Sequence, residues 1–278
     1  MSERITSYRH DGLTFDVVDA GPIDGEVVVL LHGFPERATS WAAVSERLHA
    51  EGYRTLAPDQ RGYSPGARPR GRKNYRVELL VDDVAALVEQ VGGPVHVVGH
   101  DWGSMVAWSL AIAKPELVRT LTAVSVPHPA SFMHAAKGSK QLLKSWYMFA
   151  FQVPVLPELV ARWKGGPAEA WMRAGGMDGA AIARVRHDIV EDGALPGAIG
   201  WYRAMPFSDR TRGTRVEAPT TMVWSDGDLY VSRESLGGNE RFVQADYRLV
   251  ELPGVSHWIP TEAPDPLADA ILERVRSV

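Results

Sequence analysis

Apolar positions along the chain change their spacing in a way that separates strands from helices. Leu13, Phe15 and Val17 alternate with polar neighbours, the period of a strand with one face in solvent. Val27 to Leu31 is an unbroken apolar run, which suits a strand covered on both faces and predicts that the sheet becomes parallel there. Shorter runs at Tyr53 to Ala57, Val95 to Val98, Leu121 to Val124, Thr220 to Trp224 and Tyr247 to Leu252 alternate with helical stretches. Within those helices Leu80, Val84, Leu87, Val88 and Val91 make one stripe, and Leu267, Ile271 and Val275 another. This alternation predicts an α/β fold of βαβ units with the striped positions in its core.

Between Val126 and about Arg215 the rhythm fails. The segment is rich in aromatic, Met, Gly and Pro residues without strand alternation, and it reads as an inserted helical lid. The expected division is a core at 1–126, the lid at 127–215 and the rest of the core at 216–278. Trp146, Tyr147, Phe149, Phe151, Trp163, Trp171, Trp201 and Tyr202 give the lid more aromatic surface than a connection needs, and covering a ligand is a natural use for it.

Composition narrows the class. The chain has 278 residues, 45% hydrophobic and 23% charged, enough for a globular protein with a large core. A net charge of -4 gives no reason to expect nucleic acid or an anionic membrane as partner. The basic group Arg68, Arg70, Arg72 and Lys73 lies in a Pro/Gly-rich stretch and reads as a solvated loop without assigned function. With no cysteine there is neither disulfide framework nor thiolate catalyst, and the nine histidines lack compact metal-ligand spacing, so no metal is expected. Met1 to Asp11 is polar without an apolar signal core, and no run is long enough to span a membrane, so a cytoplasmic location is expected. A homo-oligomer is compatible with the sequence.

The chemistry concentrates at Gly99-His100-Asp101-Trp102-Gly103, between the apolar run ending at Val98 and a small-residue helix. This is the pattern of a nucleophile elbow, a sharp strand-to-helix turn that lifts its central side chain toward substrate near helix-terminal N–H groups. Its central residue is aspartate. A serine attacking a saturated carbon would leave an inert ether, whereas a carboxylate makes an alkyl ester that water can cleave at the enzyme's own carbonyl. Asp101 is ionised at neutral pH without help, which frees a histidine for the hydrolytic step. His257, after the run ending at Leu252, is the candidate base, and Asp228, just past the run ending at Trp224, the candidate acid that orients it. Asp226 in the same turn competes for that role. After the first buried strand, His32-Gly33-Phe34-Pro35-Glu36 can offer the Phe34 N–H to a developing oxyanion, with the Trp102 N–H as second donor.

Taken together, these strings and Asp59-Gln60-Arg61-Gly62-Tyr63-Ser64 make the chain resemble, over nearly its whole length, the epoxide hydrolases of the α/β-hydrolase superfamily. The resemblance implies a mostly parallel eight-stranded sheet flanked by helices, with a helical cap inserted after the sixth strand. It also implies two cap tyrosines that protonate the epoxide oxygen. Trp146-Tyr147-Met148-Phe149-Ala150-Phe151-Gln152 matches the first of these and Trp201-Tyr202-Arg203 the second, so Tyr147 and Tyr202 are the expected acids. The expected activity is hydrolysis of an apolar epoxide to a vicinal diol through an ester on Asp101, with water as co-substrate and no cofactor. Haloalkane and haloacetate dehalogenases look similar and use the same triad, although many haloalkane dehalogenases carry a polar halide-binding side chain where Phe34 stands. A lidded non-catalytic binding protein is the third reading.

Overall fold

The structure, a computed structural model, describes residues 3–208 and 214–278. Its strands are β1 Ser7–His10, β2 Leu13–Ala20, β3 Val27–Leu31, β4 Arg54–Pro58, β5 Val95–His100, β6 Val118–Val124, β7 Thr220–Ser225 and β8 Tyr247–Leu252. They form one sheet in the order β1-β2-β4-β3-β5-β6-β7-β8. β2 pairs antiparallel with both β1 and β4, and every later pair, from β4–β3 to β7–β8, is parallel. The switch therefore falls at β3, where the apolar run becomes continuous. Val28 and Leu30 point into a layer with Trp41, Val44, Leu267 and Ile271, while Val29 and Leu31 point into another with Leu80, Val84, Trp108 and Leu110. Both faces of the strand are covered, which is why it needs no polar alternation.

Helices α1 Ala42–Ala50, α2 Val77–Val91 and α3 Trp102–Ala113 follow β3, β4 and β5. The predicted stripe on α2 is buried from Leu80 to Val88, and the helix stops at Gly92, whose φ of 91° is the left-handed conformation that suits glycine. Between β6 and β7 lie α4 Pro129–Gly138, α5 Gln141–Lys144, α6 Trp146–Ala150, α7 Leu156–Arg162, α8 Pro167–Ala174, α9 Gly179–Val185, a π-helical turn Arg186–Glu191 and α10 Leu195–Ala204. The expected lid segment at 127–215 includes residues 209–213, which lie outside the described residues. After β8 the chain closes with α11 Ile259–Glu262 and α12 Pro264–Val275, whose Leu267, Ile271 and Val275 are buried as their spacing predicts.

Boundaries differ where a polar residue is buried or an apolar run is interrupted. β1 escapes the apolar pattern because Tyr8 alone among its residues is buried, stacked on Phe15 at 4.7 Å. β6 starts at Val118, not Leu121: exposed Arg119, paired with Glu26, breaks the run without breaking the strand. β4 is shifted by one residue because Arg54 is buried against Asp19. The helical segment is seated on the core by close backbone contact, for a Cβ on Gly197 would fall 2.6 Å from the Gly62 Cα. The Trp201 indole N–H adds a hydrogen bond to the Arg61 carbonyl at 2.7 Å. Part of the basic stretch is structural too: Arg68 donates to the Tyr63 carbonyl and, at 2.8 Å, to that of Asp192.

Candidate active site

Backbone crowding builds the elbow. β5 runs through His100 and α3 starts at Trp102, which leaves Asp101 between them at φ 52° and ψ -118°. That conformation is strained for a residue with a side chain, by roughly 1–3 kcal/mol, and it is held because its surroundings leave no alternative. A Cβ on Gly99 would sit 2.2 Å from the Gly103 carbonyl oxygen, and one on Gly103 would sit 2.1 Å from that of Leu31. Gly33 is likewise required, since its Cβ would lie 2.4 Å from the Asp101 Cβ. The glycines thus bring β3, β5 and α3 together under one carboxylate.

Asp101 is buried, and its Oδ1 accepts the Phe34 N–H at 2.8 Å. Its Oδ2 lies 3.4 Å from His257 Nε2. His257 Nδ1 stands 2.7 Å from Asp228 Oδ2, and Asp228 Oδ1 in turn accepts the backbone N–H groups of Tyr230 and Val231 at 2.7 and 2.8 Å. Asp226 instead accepts the Gly254 N–H at 2.6 Å on the exposed side of the turn, so it is Asp228 that meets the histidine. Burial works against a charged His257, but the charges of Asp228 and Asp101 and their hydrogen bonds outweigh it and push its pKa up to about 10. Burial also disfavours ionised Asp101, and here hydrogen bonding and charge from His257, with the His100 and Phe34 contributions, win and hold it below the usual carboxylate range. Asp101, His257 and Asp228 thus stand in succession, with the charged forms of Asp101 and His257 favoured by one another.

The Trp102 N–H, expected as a second donor, makes no hydrogen bond to the Asp101 side chain. As the first amide of α3 it has no partner within the helix. The turn that carries Phe34 is held by the loop after β4, where Gln60 donates its side-chain amide to the His32 carbonyl at 2.7 Å and its backbone N–H to His32 Nε2 at 3.2 Å.

Tyr147 on α6 and Tyr202 on α10 come to the same place from the opposite side. Their rings are 5.9 Å apart, and that of Tyr202 lies 5.1 Å from Trp102 and 5.3 Å from Phe34. Both tyrosines line, with Asp101 and Trp102, a cavity of 320 Å³. Gln152 explains the string that led to Tyr147: its side-chain amide donates to the Tyr202 carbonyl at 2.8 Å and so ties α6 to α10. Burial raises both phenols well above their ordinary pKa; the Asp101 charge adds to this at Tyr147, as do the Tyr147 and Asp101 charges at Tyr202. They therefore remain neutral O–H donors. A second cavity of 270 Å³ adjoins Tyr147 and is lined by Phe34, Phe151, Trp171 and Ile199.

Three buried side chains beside the site were given no role from the sequence. His100 Nε2 bonds the His257 carbonyl at 2.9 Å, while its Nδ1 lies 3.7 Å from Glu36 Oε2, and neither of those two atoms has a hydrogen-bond partner. Burial lowers the pKa of His100 to about 4 and raises that of Glu36 to about 7, so near pH 7 His100 is neutral and Glu36 is held far more protonated than an ordinary carboxyl. The Tyr230 ring packs 5.0 Å from His257 and its buried hydroxyl is without a partner. Only long-range approach makes these residues neighbours, although Glu36 and His100 each lie within a motif already singled out.

Residues 26–264 match the family of the alpha/beta hydrolase fold. A Bacillus subtilis AB hydrolase superfamily protein, YfhM, is 34% identical over 96% of this chain and 96% of its own. Human epoxide hydrolase 4 is 31% identical over 92% of this chain and 74% of its own. A solved structure described under novel epoxide hydrolases of this superfamily in metagenomes from hot environments superposes with a TM-score of 0.84, at 29% identity and 99% coverage of both chains. The chain belongs to the α/β-hydrolase superfamily and, within it, to the epoxide hydrolases.

Proposed function

We propose that the protein hydrolyses apolar epoxides to vicinal diols through an ester on Asp101, with the helical segment at 127–215 acting as a cap over the site. One observation carries this reading: the Asp101 carboxyl, favoured in its ionised form, and the Tyr147 and Tyr202 phenols, favoured in their neutral form, line one cavity. Opening an oxirane needs both at once, since the carbon must be attacked while the oxygen gains a proton. Asp101 attacks a ring carbon, the C–O bond breaks toward the oxygen, and Tyr147 or Tyr202 supplies the proton.

The second step follows from the charge arrangement. Alkylation removes the Asp101 charge, one of the two that hold His257 protonated, so the imidazolium gives its proton up to the tyrosinate left by ring opening and becomes a base. It then takes a proton from water, which attacks the Asp101 carbonyl. The Phe34 N–H, already on Asp101 Oδ1, stabilises the oxyanion, and the Trp102 N–H is the second donor. Collapse expels the diol oxygen, which takes the proton from His257, and the proton of the regenerated carboxyl returns to His257, restoring the starting charges. Asp228 keeps the ring oriented throughout.

A departing halide needs no proton, so the tyrosine pair gives the dehalogenase reading no support of its own. Single-turnover hydrolysis in water labelled with oxygen-18 tests the route: the label belongs in Asp101 after the first turnover. A first-turnover diol that already carries it would mean direct attack by water.

A further inference from the structure

No helix among the described residues is long and apolar enough to cross a membrane, yet the exposed apolar side chains are not scattered. Of thirteen large hydrophobic side chains exposed among the described residues, ten fall between Met133 and Trp163. Single exposed hydrophobes are ordinary, but a concentration in one segment marks a contact surface. On α6, Trp146 and Phe149 are 57% and 63% exposed, while Tyr147 and Met148 pack against the core. On α7 and just beyond it, Leu156, Leu159 and Trp163 are 54%, 55% and 66% exposed. Their i, i+3, i+7 spacing is that of one helical stripe turned outward.

The charge of this segment differs from that of the whole chain. Between Met133 and Lys164 it carries four exposed basic residues, Lys137, Lys140, Arg162 and Lys164, besides half-buried Lys144, which donates to the Asp228 carbonyl at 2.7 Å, and one acid, Glu158, which Arg203 already pairs at 2.6 Å. The net charge of -4, which gave no reason to expect an anionic membrane, therefore does not describe this face. Trp146 and Leu156 also line the 270 Å³ cavity, so the exposed patch is continuous with the apolar space inside. A second copy of the chain would have to set this basic segment against itself, which like charge opposes.

We propose that this face docks on an anionic lipid surface, with its aromatic and leucine side chains at the headgroup boundary and Lys137, Lys140, Arg162 and Lys164 on lipid phosphates. The protein would lie on the membrane without spanning it. That the docked face also admits apolar substrate rests on the epoxide hydrolase reading; the docking itself does not. Flotation with vesicles of phosphatidylcholine, alone or mixed with phosphatidylserine, tests it. Wild type should partition about tenfold more strongly to the anionic vesicles, with the preference falling in high salt. The triple variant Phe149→Ser, Leu159→Ser, Trp163→Ser should bind them about tenfold less and still turn over a dissolved epoxide. Lys137→Glu with Lys164→Glu, which leaves the apolar surface intact, should lose the preference for anionic lipid. Equal partition of wild type and triple variant, or self-association that the triple variant abolishes while vesicles capture neither protein, would overturn the proposal. Vesicle binding without epoxide turnover would remove the reaction reading and leave the docking standing.

Discussion

Glu36→Gln should make the protein more stable at alkaline pH and leave it nearly unchanged in acid. Glu36 is buried, its Oε2 has no partner, and burial raises its carboxyl from 4.5 to about 7 against the opposing charges of Arg184 and His257. Folding thus favours the protonated form. Below pH 4.5 both states hold the proton and the native state has its full stability; as the pH rises toward 7 the unfolded chain ionises first and stability is lost. By about pH 8.5 the loss is complete at about 3 kcal/mol. Glutamine keeps the shape and cannot ionise. The gap between variant and wild type in urea unfolding should therefore open by about 2–3 kcal/mol between about pH 5 and about pH 8.5. In thermal unfolding that is about 5–10 °C for a chain of this size. A gap that stays constant, or closes as pH rises, would refute the placement of a neutral acid behind the elbow.

Other consequences are sharp enough to measure. Tyr202→Phe should lower kcat/KM for an epoxide by about tenfold or more, and the double change with Tyr147→Phe by about 10²–10⁴, the range of general acid catalysis, without loss of thermal stability comparable to a core cavity. Stopped-flow kinetics should place that loss in ester formation, with ester hydrolysis little affected. Gly103→Ala should cost about 3 kcal/mol or more, because its Cβ meets the Leu31 carbonyl and backbone cannot yield there as a side chain can. Denaturant unfolding of that variant should show it, and a near-neutral result would mean the elbow is looser than described.

Much of the fold was legible because local pattern encodes it. The unbroken run at β3 reported a strand covered on both faces, and the stripes on α2 and α12 reported their buried sides. The elbow was legible for a related reason, since its glycines and aspartate stand within five consecutive residues, and Gly99 answers to a contact with Gly103 in that same turn. What escaped was set by distant parts of the chain. β1 is an edge strand whose polar residues face solvent, so only Tyr8 carries any apolar signal. Glu36 and His100 become partners across the gap between β3 and β5, and no spacing in the sequence records that approach. Asp226 stayed a rival to Asp228 for the same reason, because two residues in one turn differ only in where the fold points them.

The claim that a carboxylate at the elbow is alkylated and then released by His257 can be tested most directly with His257→Gln. Incubated with an apolar epoxide and read by intact mass and peptide mapping, the variant should gain the mass of one substrate on the peptide that contains Asp101, while wild type returns to its unmodified mass. Absence of any adduct while the variant still forms diol would contradict the account.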